Sequence, residues 1–132
     1  MKTERSIIIY GPRGSGKTTL ALMIADMAGG GEHTLHVDVK QMLNPPPFFL
    51  SGLAEKEIST VIVECGDSGF KSWRDEVTQL IEGTELIVSV KARGDVTCLM
   101  PNFIFCVSNC RSLALARQDK RFMVMKVNGV TW

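Results

Sequence analysis

Gly11, Pro12, Arg13, Gly14, Ser15, Gly16, Lys17 and Thr18 satisfy the pattern G-x-x-x-x-G-K-[ST] in full. Glycines let successive backbone N–H groups turn inward around an anion, where side chains would block its approach. A helix opening at Gly16 would add its positive dipole end. Lys17 supplies a point charge for the β- and γ-phosphates, and the Thr18 hydroxyl, followed by Thr19, is placed to ligate Mg2+. The pattern predicts a nucleotide site from Gly11 to Thr19, with Mg2+ as the accompanying cation, and does not by itself choose between kinase, GTPase and motor; ATP is the nucleotide expected of the motor.

A second chemical feature lies downstream. Val61, Ile62 and Val63 end in Glu64. A carboxylate at the tip of an apolar strand can face the cation held by Thr18, usually through water. Hydrolysing sites commonly place another acid beside it to activate the attacking water. Here the next residue is Cys65 and the nearest further acid is Asp67. Glu64 is therefore the metal-side acid, with Asp67 or nothing as the base, or is itself the base.

These residues need elements to hold them. Ser6 to Tyr10 is a short β-branched run ended by Gly11 and Pro12, which predicts a buried strand feeding a tight loop. Lys17 to Ala28 predicts a helix with Leu20, Ile24 and Met27 on one face, ended by Gly29, Gly30 and Gly31. Thr34 to Val39 alternates as a strand; Asn44 to Pro47 forbids regular structure; Leu50 to Glu57 fits a short helix. Thr60 to Glu64 predicts a strand, and Trp73 to Ile81 a helix with Trp73, Val77, Leu80 and Ile81 on one side. Leu86 to Val90 and Val96 to Leu99 predict a hairpin with its tip at Lys91 to Asp95. Asn102 to Val107 and Phe122 to Val127 complete the strands, with a weakly signalled helix at Leu113 to Arg117. Strands alternating with helices imply a mostly parallel sheet covered on both faces.

Composition bounds the function. With 132 residues the chain is expected to be one domain, 1–132. Fifteen Lys+Arg against 14 Asp+Glu exclude a uniformly basic nucleic-acid binder, so any such binding must come from a local patch or from pooled copies. Apolar runs such as Phe103 to Val107 are too short to span a membrane, and Met1 to Ser6 lacks a signal peptide's apolar stretch, so a cytoplasmic protein of the cell interior is expected. Cys65, Cys98, Cys106 and Cys110 form no C-x-x-C pair and read as inert thiols. His33 and His36 read as surface or capping residues rather than ligands.

Further blocks carry a resemblance: Phe48 to Leu53, Ile58 to Glu64, Leu80 to Gly83, Lys91, Pro101 to Asn109, and Arg121 to Val124. Together they resemble superfamily-3 helicases, AAA+-related motors of small DNA viruses and of phage and plasmid primase-helicases. The resemblance runs from about Ser6 to Val127. It is most specific from Gly83 through Lys91 to Ser108 and Asn109, a block similar to the family's pre-sensor hairpin and polar sensor.

The resemblance implies roles. Lys91, with Arg93 beside it, would track single-stranded DNA in the channel of a hexameric ring. Asn109 would be the sensor touching the γ-phosphate or its water. Arg121 would be the finger reaching a neighbouring subunit's nucleotide, with Arg111, Arg117 and Lys120 as rivals. Residue chemistry supports these roles: Ala92 and Gly94 allow close approach to phosphates, and an asparagine amide can orient water. The bland readings are a solvated turn at Lys91, a loop cap at Asn109 and a strand-edge arginine at Arg121.

The expected fold is an α/β, AAA+-like P-loop NTPase with a central, mostly parallel five-stranded sheet and an inserted pre-sensor hairpin. The expected function is a helicase-type ATPase core in the replication of a virus, phage or plasmid, alongside primase or other replication proteins. It would be a bare core, lacking the family's flanking regions. Cys65 in the second acid's place keeps open a nucleotide-binding regulatory module with weak or no hydrolysis. A small-molecule kinase is disfavoured by the hairpin and by Ser108 and Asn109.

Overall fold

Ile7, Ile8 and Ile9 leave no polar face, so a strand built from them must be covered on both sides. The computed structural model describes residues 6–12, 16–28, 33–44, 51–55, 58–66, 70–81, 85–108 and 113–127. In chain order its elements are β1 (Ser6–Tyr10), α1 (Lys17–Ala28), β2 (Thr34–Asp38), α2 (Val39–Leu43), α3 (Gly52–Glu55), β3 (Thr60–Gly66) and α4 (Phe70–Ile81). They continue with β4 (Glu85–Val90), β5 (Gly94–Leu99), β6 (Asn102–Val107), α5 (Leu113–Gln118) and β7 (Phe122–Lys126). Five strands pair in the order β2-β3-β6-β1-β7, all parallel. β4 and β5 form a separate antiparallel hairpin. This is the expected α/β architecture.

Alternation along the strands divides the core between two faces. Ile7, Ile9, Ile62, Ile104 and Cys106 pack under α1. Ile8, Val61, Val63, Phe103 and Phe105 pack on the other side, beneath α2 to α5 and the inner face of the hairpin. There Trp73 of α4 stacks on Phe105 with ring centroids 4.8 Å apart, and Phe122 meets both rings edge-on. Such pairs contribute about 0.5–1.5 kcal/mol each beyond burial, so they lock α4 to β6 and β7.

Two local expectations change. The buried stripe of α1 centres on Ala21 and Ala25, with Leu20 and Ile24 at its rim, while Met27 is 88% exposed. Alanine lets the helix backbone approach the sheet, and the larger Met27 side chain falls outside the contact. β2 also stops one residue early, because Asp38 turns to cap α2. Its Oδ1 accepts from Lys40 N at 2.8 Å, and its own N–H donates to Gln41 Oε1 at 3.0 Å. The spacing of Asp38 and Gln41 is a capping-box signal that announces this helix. Gly29 to Gly31, Pro45 to Pro47 and the side chains of Leu80 and Ile81 lie outside the described residues. No helix among the described residues is long and apolar enough to cross a membrane.

Thr60 opens β3 and is 1% exposed, and its hydroxyl has no hydrogen-bond partner among the described residues. An unpaired buried hydroxyl costs about 1–3 kcal/mol. Thr60→Val is therefore expected to raise stability by about 1 kcal/mol, read as a higher urea midpoint at unchanged m-value. A lower midpoint would contradict this account of β3.

Candidate functional site

Parallel strands place all their carboxyl ends on one edge of the sheet, and the chain leaves β1 there into the glycine-rich loop. Gly11 N donates to Val107 O at 3.1 Å, tying the start of the loop to the end of β6. Gly16 has φ +90°, a backbone conformation that side chains rarely adopt, and it hands the chain to α1 through Leu20 N donating to Gly16 O at 3.0 Å. Lys17 is 9% exposed; its Nζ donates to Gly11 O at 2.8 Å and Pro12 O at 2.9 Å. The cation is thus folded across the base of the loop, on carbonyls that phosphate oxygens would replace. Thr18 and Thr19 are exposed on the first turn of α1. Arg13, Gly14 and Ser15 lie outside the described residues.

The acid meets the loop directly. Thr18 Oγ1 donates to Glu64 Oε1 at 2.9 Å. A hydroxyl and a carboxylate so placed are hard oxygen donors, and they suit a Mg2+ that keeps waters and takes its other ligands from phosphates. Asp38 lies opposite Glu64 in the β2–β3 register, but its carboxylate caps α2. Cys65 points into the opposite core, where burial first and then the nearby Cys106, Glu64 and Asp38 push its thiol well up. Cys106, across from Glu64 on β6, is pushed up to about 12 by burial and by Glu64, with Lys17 pulling the other way. Both thiols stay neutral at physiological pH, as expected of inert cysteines, and neither can serve as a base.

One contact escapes the sequence reading. His36 Nε2 lies 3.0 Å from the same Glu64 oxygen. His36 is a surface residue, as expected, but its neighbour depends on which strand β2 pairs with. The alternation of Thr34 to Val39 does not reveal that.

The remaining candidates are spread out. Ser108 N donates to Gly66 O at 2.9 Å, so the chain leaving β6 is stitched to the acidic strand on one side and to Gly11 on the other. Asn109, Asp67 and Arg111 lie outside the described residues. The hairpin turn is Lys91, Ala92 and Arg93, shorter than the five-residue tip expected, and Arg93 N donates to Val90 O at 3.1 Å across it. Lys91 and Arg93 are exposed; Ala92 has φ +67°, a conformation costing an L-residue about 1–2 kcal/mol. Arg121 precedes β7 at the sheet's other edge, its carbonyl accepting from Ser6 N at 2.9 Å. The length of β1, about 16 Å at 3.3 Å per residue, lies between that point and the phosphate loop. Asp119 grips Arg121: Nε donates to Oδ1 at 2.9 Å and Nη2 to Oδ2 at 2.8 Å. The structure brings Lys17, Thr18 and Glu64 together and leaves Arg121, Lys91 and Arg93 outside that cluster.

β6 separates the strand that carries the loop from the strand that carries the acid, so a residue following β6 emerges between the two halves of the site. That order, with a hairpin ahead of β6, makes this an AAA+-like P-loop NTPase of the superfamily-3 helicase type. Residues 7–110 match the family model described as RNA helicase, and the chain belongs to that family. Among solved structures it is similar to the A form apo structure of NrS-1 C terminal region-CTR, at 20% identity and TM-score 0.68. A second structure of that region, CTR(305-718), matches at 20% identity and TM-score 0.64. Each match covers 98% of this chain, and this chain spans 30% and 29% of theirs. Both likenesses are of fold. No curated protein sequence matches.

The clamp on Arg121 has a pH signature. The side-chain hydrogen bond from Arg121 holds the Asp119 carboxyl below its ordinary 3.8; partial burial opposes it, while the Arg121 backbone N–H and the charges of Arg121 and Arg74 assist. A depressed carboxyl contributes stability above its unfolded value and loses it as pH falls through the folded one. The stability gap between wild type and Asp119→Asn is thus expected to be constant near neutrality and to shrink below 3.8. Denaturant midpoints across that range provide the check, and a gap that widens on acidification would refute the assignment.

Proposed function

We propose that this chain is an ATP-hydrolysing motor core that moves along single-stranded DNA during replication of a virus, phage or plasmid, in the cytoplasm of the host. The observation that carries the reading is the 2.9 Å hydrogen bond from Thr18 to Glu64, which joins a complete phosphate loop to the acidic strand. Bound ATP supplies the phosphoanhydride to be cleaved, and Mg2+ the counter-charge for its oxygens. Lys17 exchanges the Gly11 and Pro12 carbonyls for phosphate oxygens. Thr18 and Glu64 would hold the cation, and Asn109 would orient the attacking water. Arg121 lies too far along the sheet to serve its own loop, so it acts on the nucleotide of a neighbouring copy.

That geometry calls for a ring. One copy offers Lys91 and Arg93, too little charge to grip a strand. Six copies would turn roughly a dozen such charges toward one backbone, by the logic of phosphate neutralisation. Primase or other replication proteins would supply the rest of the machine.

A second reading has its own observation. Among the described residues, Glu64 is the acid that reaches the loop, since Cys65 faces the opposite core and Asp38 caps α2. A nucleotide-binding regulatory module that turns over slowly or not at all fits that deficit. RNA in place of DNA as the strand is suggested by the family description.

One experiment separates these readings: ATP turnover with and without single-stranded DNA or RNA, over a range of protein concentrations. The motor reading expects strand-stimulated turnover that rises with assembly. Lys17→Ala should abolish it, and Arg121→Ala should lower it by roughly 10³-fold or more. Mixing the two variants should restore part of it. Lys91→Ala with Arg93→Ala should weaken stimulation and flatten its salt dependence. ATP binding without turnover at every concentration selects the regulatory module, and stimulation by RNA alone reassigns the strand.

A further inference from the structure

His36 has no part in the scheme above, yet it touches the central acid. Its Nε2 lies 3.0 Å from Glu64 Oε1, the oxygen that also accepts from Thr18 Oγ1 at 2.9 Å. The sheet imposes this contact. Parallel pairing sets His36 opposite Ile62, so His36 and Glu64 project from the same face of adjacent strands. A carboxylate oxygen offers only lone pairs, so Nε2 carries the hydrogen. The other flanking groups are committed elsewhere or neutral: Asp38 to the α2 cap, Cys106 as a buried thiol, and Lys17 to the loop carbonyls.

Glu64 lies two residues before the end of β3 and its side chain is 37% exposed, so the apolar core does little to orient it. One bond from Thr18 leaves the carboxylate free to pivot about that contact. A second bond to the same oxygen from a different element pins that oxygen between α1 and β2. We infer that His36 is a positioning residue for Glu64. It holds the carboxylate where, together with Thr18, it receives the Mg2+ that accompanies the nucleotide. His36 acts through Glu64 and touches neither nucleotide nor cation. The inference rests on the nucleotide site proposed above. Groups that orient a metal-binding side chain typically contribute roughly 10–100-fold in metal affinity.

The test titrates a fluorescent ATP analogue into the purified chain, once with Mg2+ and once with a chelator in its place. The ratio of the two affinities isolates the cation's contribution without requiring turnover. His36→Ala is expected to lower that ratio by about tenfold. His36→Gln keeps an N–H donor and should restore most of it. In a Glu64→Ala background, which removes the oxygen that His36 holds, His36→Ala should change nothing further. An unchanged ratio in His36→Ala overturns the inference, and so does an equal loss in the Glu64→Ala background. His36 is half-exposed, so the variants are expected to fold, and circular dichroism verifies that each has. If the wild-type chain binds the analogue under neither condition, the nucleotide site itself fails and the inference falls with it. Binding with a normal Mg2+ response in every His36 variant removes only the inference.

Discussion

β1, β3 and β6 have no polar face, and this constraint governs where chemistry can occur. Ile8, Val61, Val63, Phe103 and Phe105 bury against one layer, while Ile7, Ile9, Ile62 and Ile104 bury against the other. An ionisable group in the middle of such a strand would be stranded in the core, so charge is expelled to the strand ends. Parallel pairing then gathers the carboxyl ends on one edge, where the loop after β1 meets the acid of β3. The site is a consequence of apolar strands running in one direction. The crevice beyond such carboxyl ends is where open α/β sheets generally bind ligands.

The site gives each of its charges a partner of its own. Lys17 is nearly buried, and an unpaired ammonium there would be costly, so it takes the carbonyls of Gly11 and Pro12. Glu64 takes the Thr18 hydroxyl and the His36 imidazole. Neither arrangement uses a permanent ion pair between Lys17 and Glu64. Such a pair would have to be broken before an anion and a cation could enter together. Separate partners keep both charges satisfied and exchangeable.

The parts legible in the sequence are those set by local spacing. The phosphate loop is encoded in consecutive residues, and its strand and helix follow from Ile7 to Ile9 and from Gly16 onward. The hairpin follows from alternation on either side of Gly94. That Cys65 faces away from Glu64 is also legible, since successive strand residues face opposite ways. α2 is not among the expected elements: Asp38 and Gln41 carry its capping-box signal, but the alternation of Thr34 to Val39 reads straight through it. His36 is a different case. Its contact exists because β2 pairs with β3 in one register, and nothing near residue 36 carries that information.

On the proposal that Arg121 serves the nucleotide of a neighbouring copy, the same sheet would divide labour between copies. It stands where β1 begins, and the phosphate loop stands where β1 ends, so one chain cannot bring the two together without breaking the sheet. Until a neighbour's phosphates arrive, a free guanidinium at that edge would sample many rotamers. Asp119 removes that freedom with two parallel hydrogen bonds. The clamp carries two opposed effects. On that proposal it would lower the entropy lost when Arg121 engages a neighbour, and it would offer a competing anion that the neighbour's phosphate must match. A nucleoside triphosphate carries several negative charges against one on Asp119, so the balance can tip toward the neighbour when its site is loaded and return to Asp119 when it is empty. A bidentate carboxylate beside the arginine would thus make contact across the ring depend on the nucleotide state of the next copy.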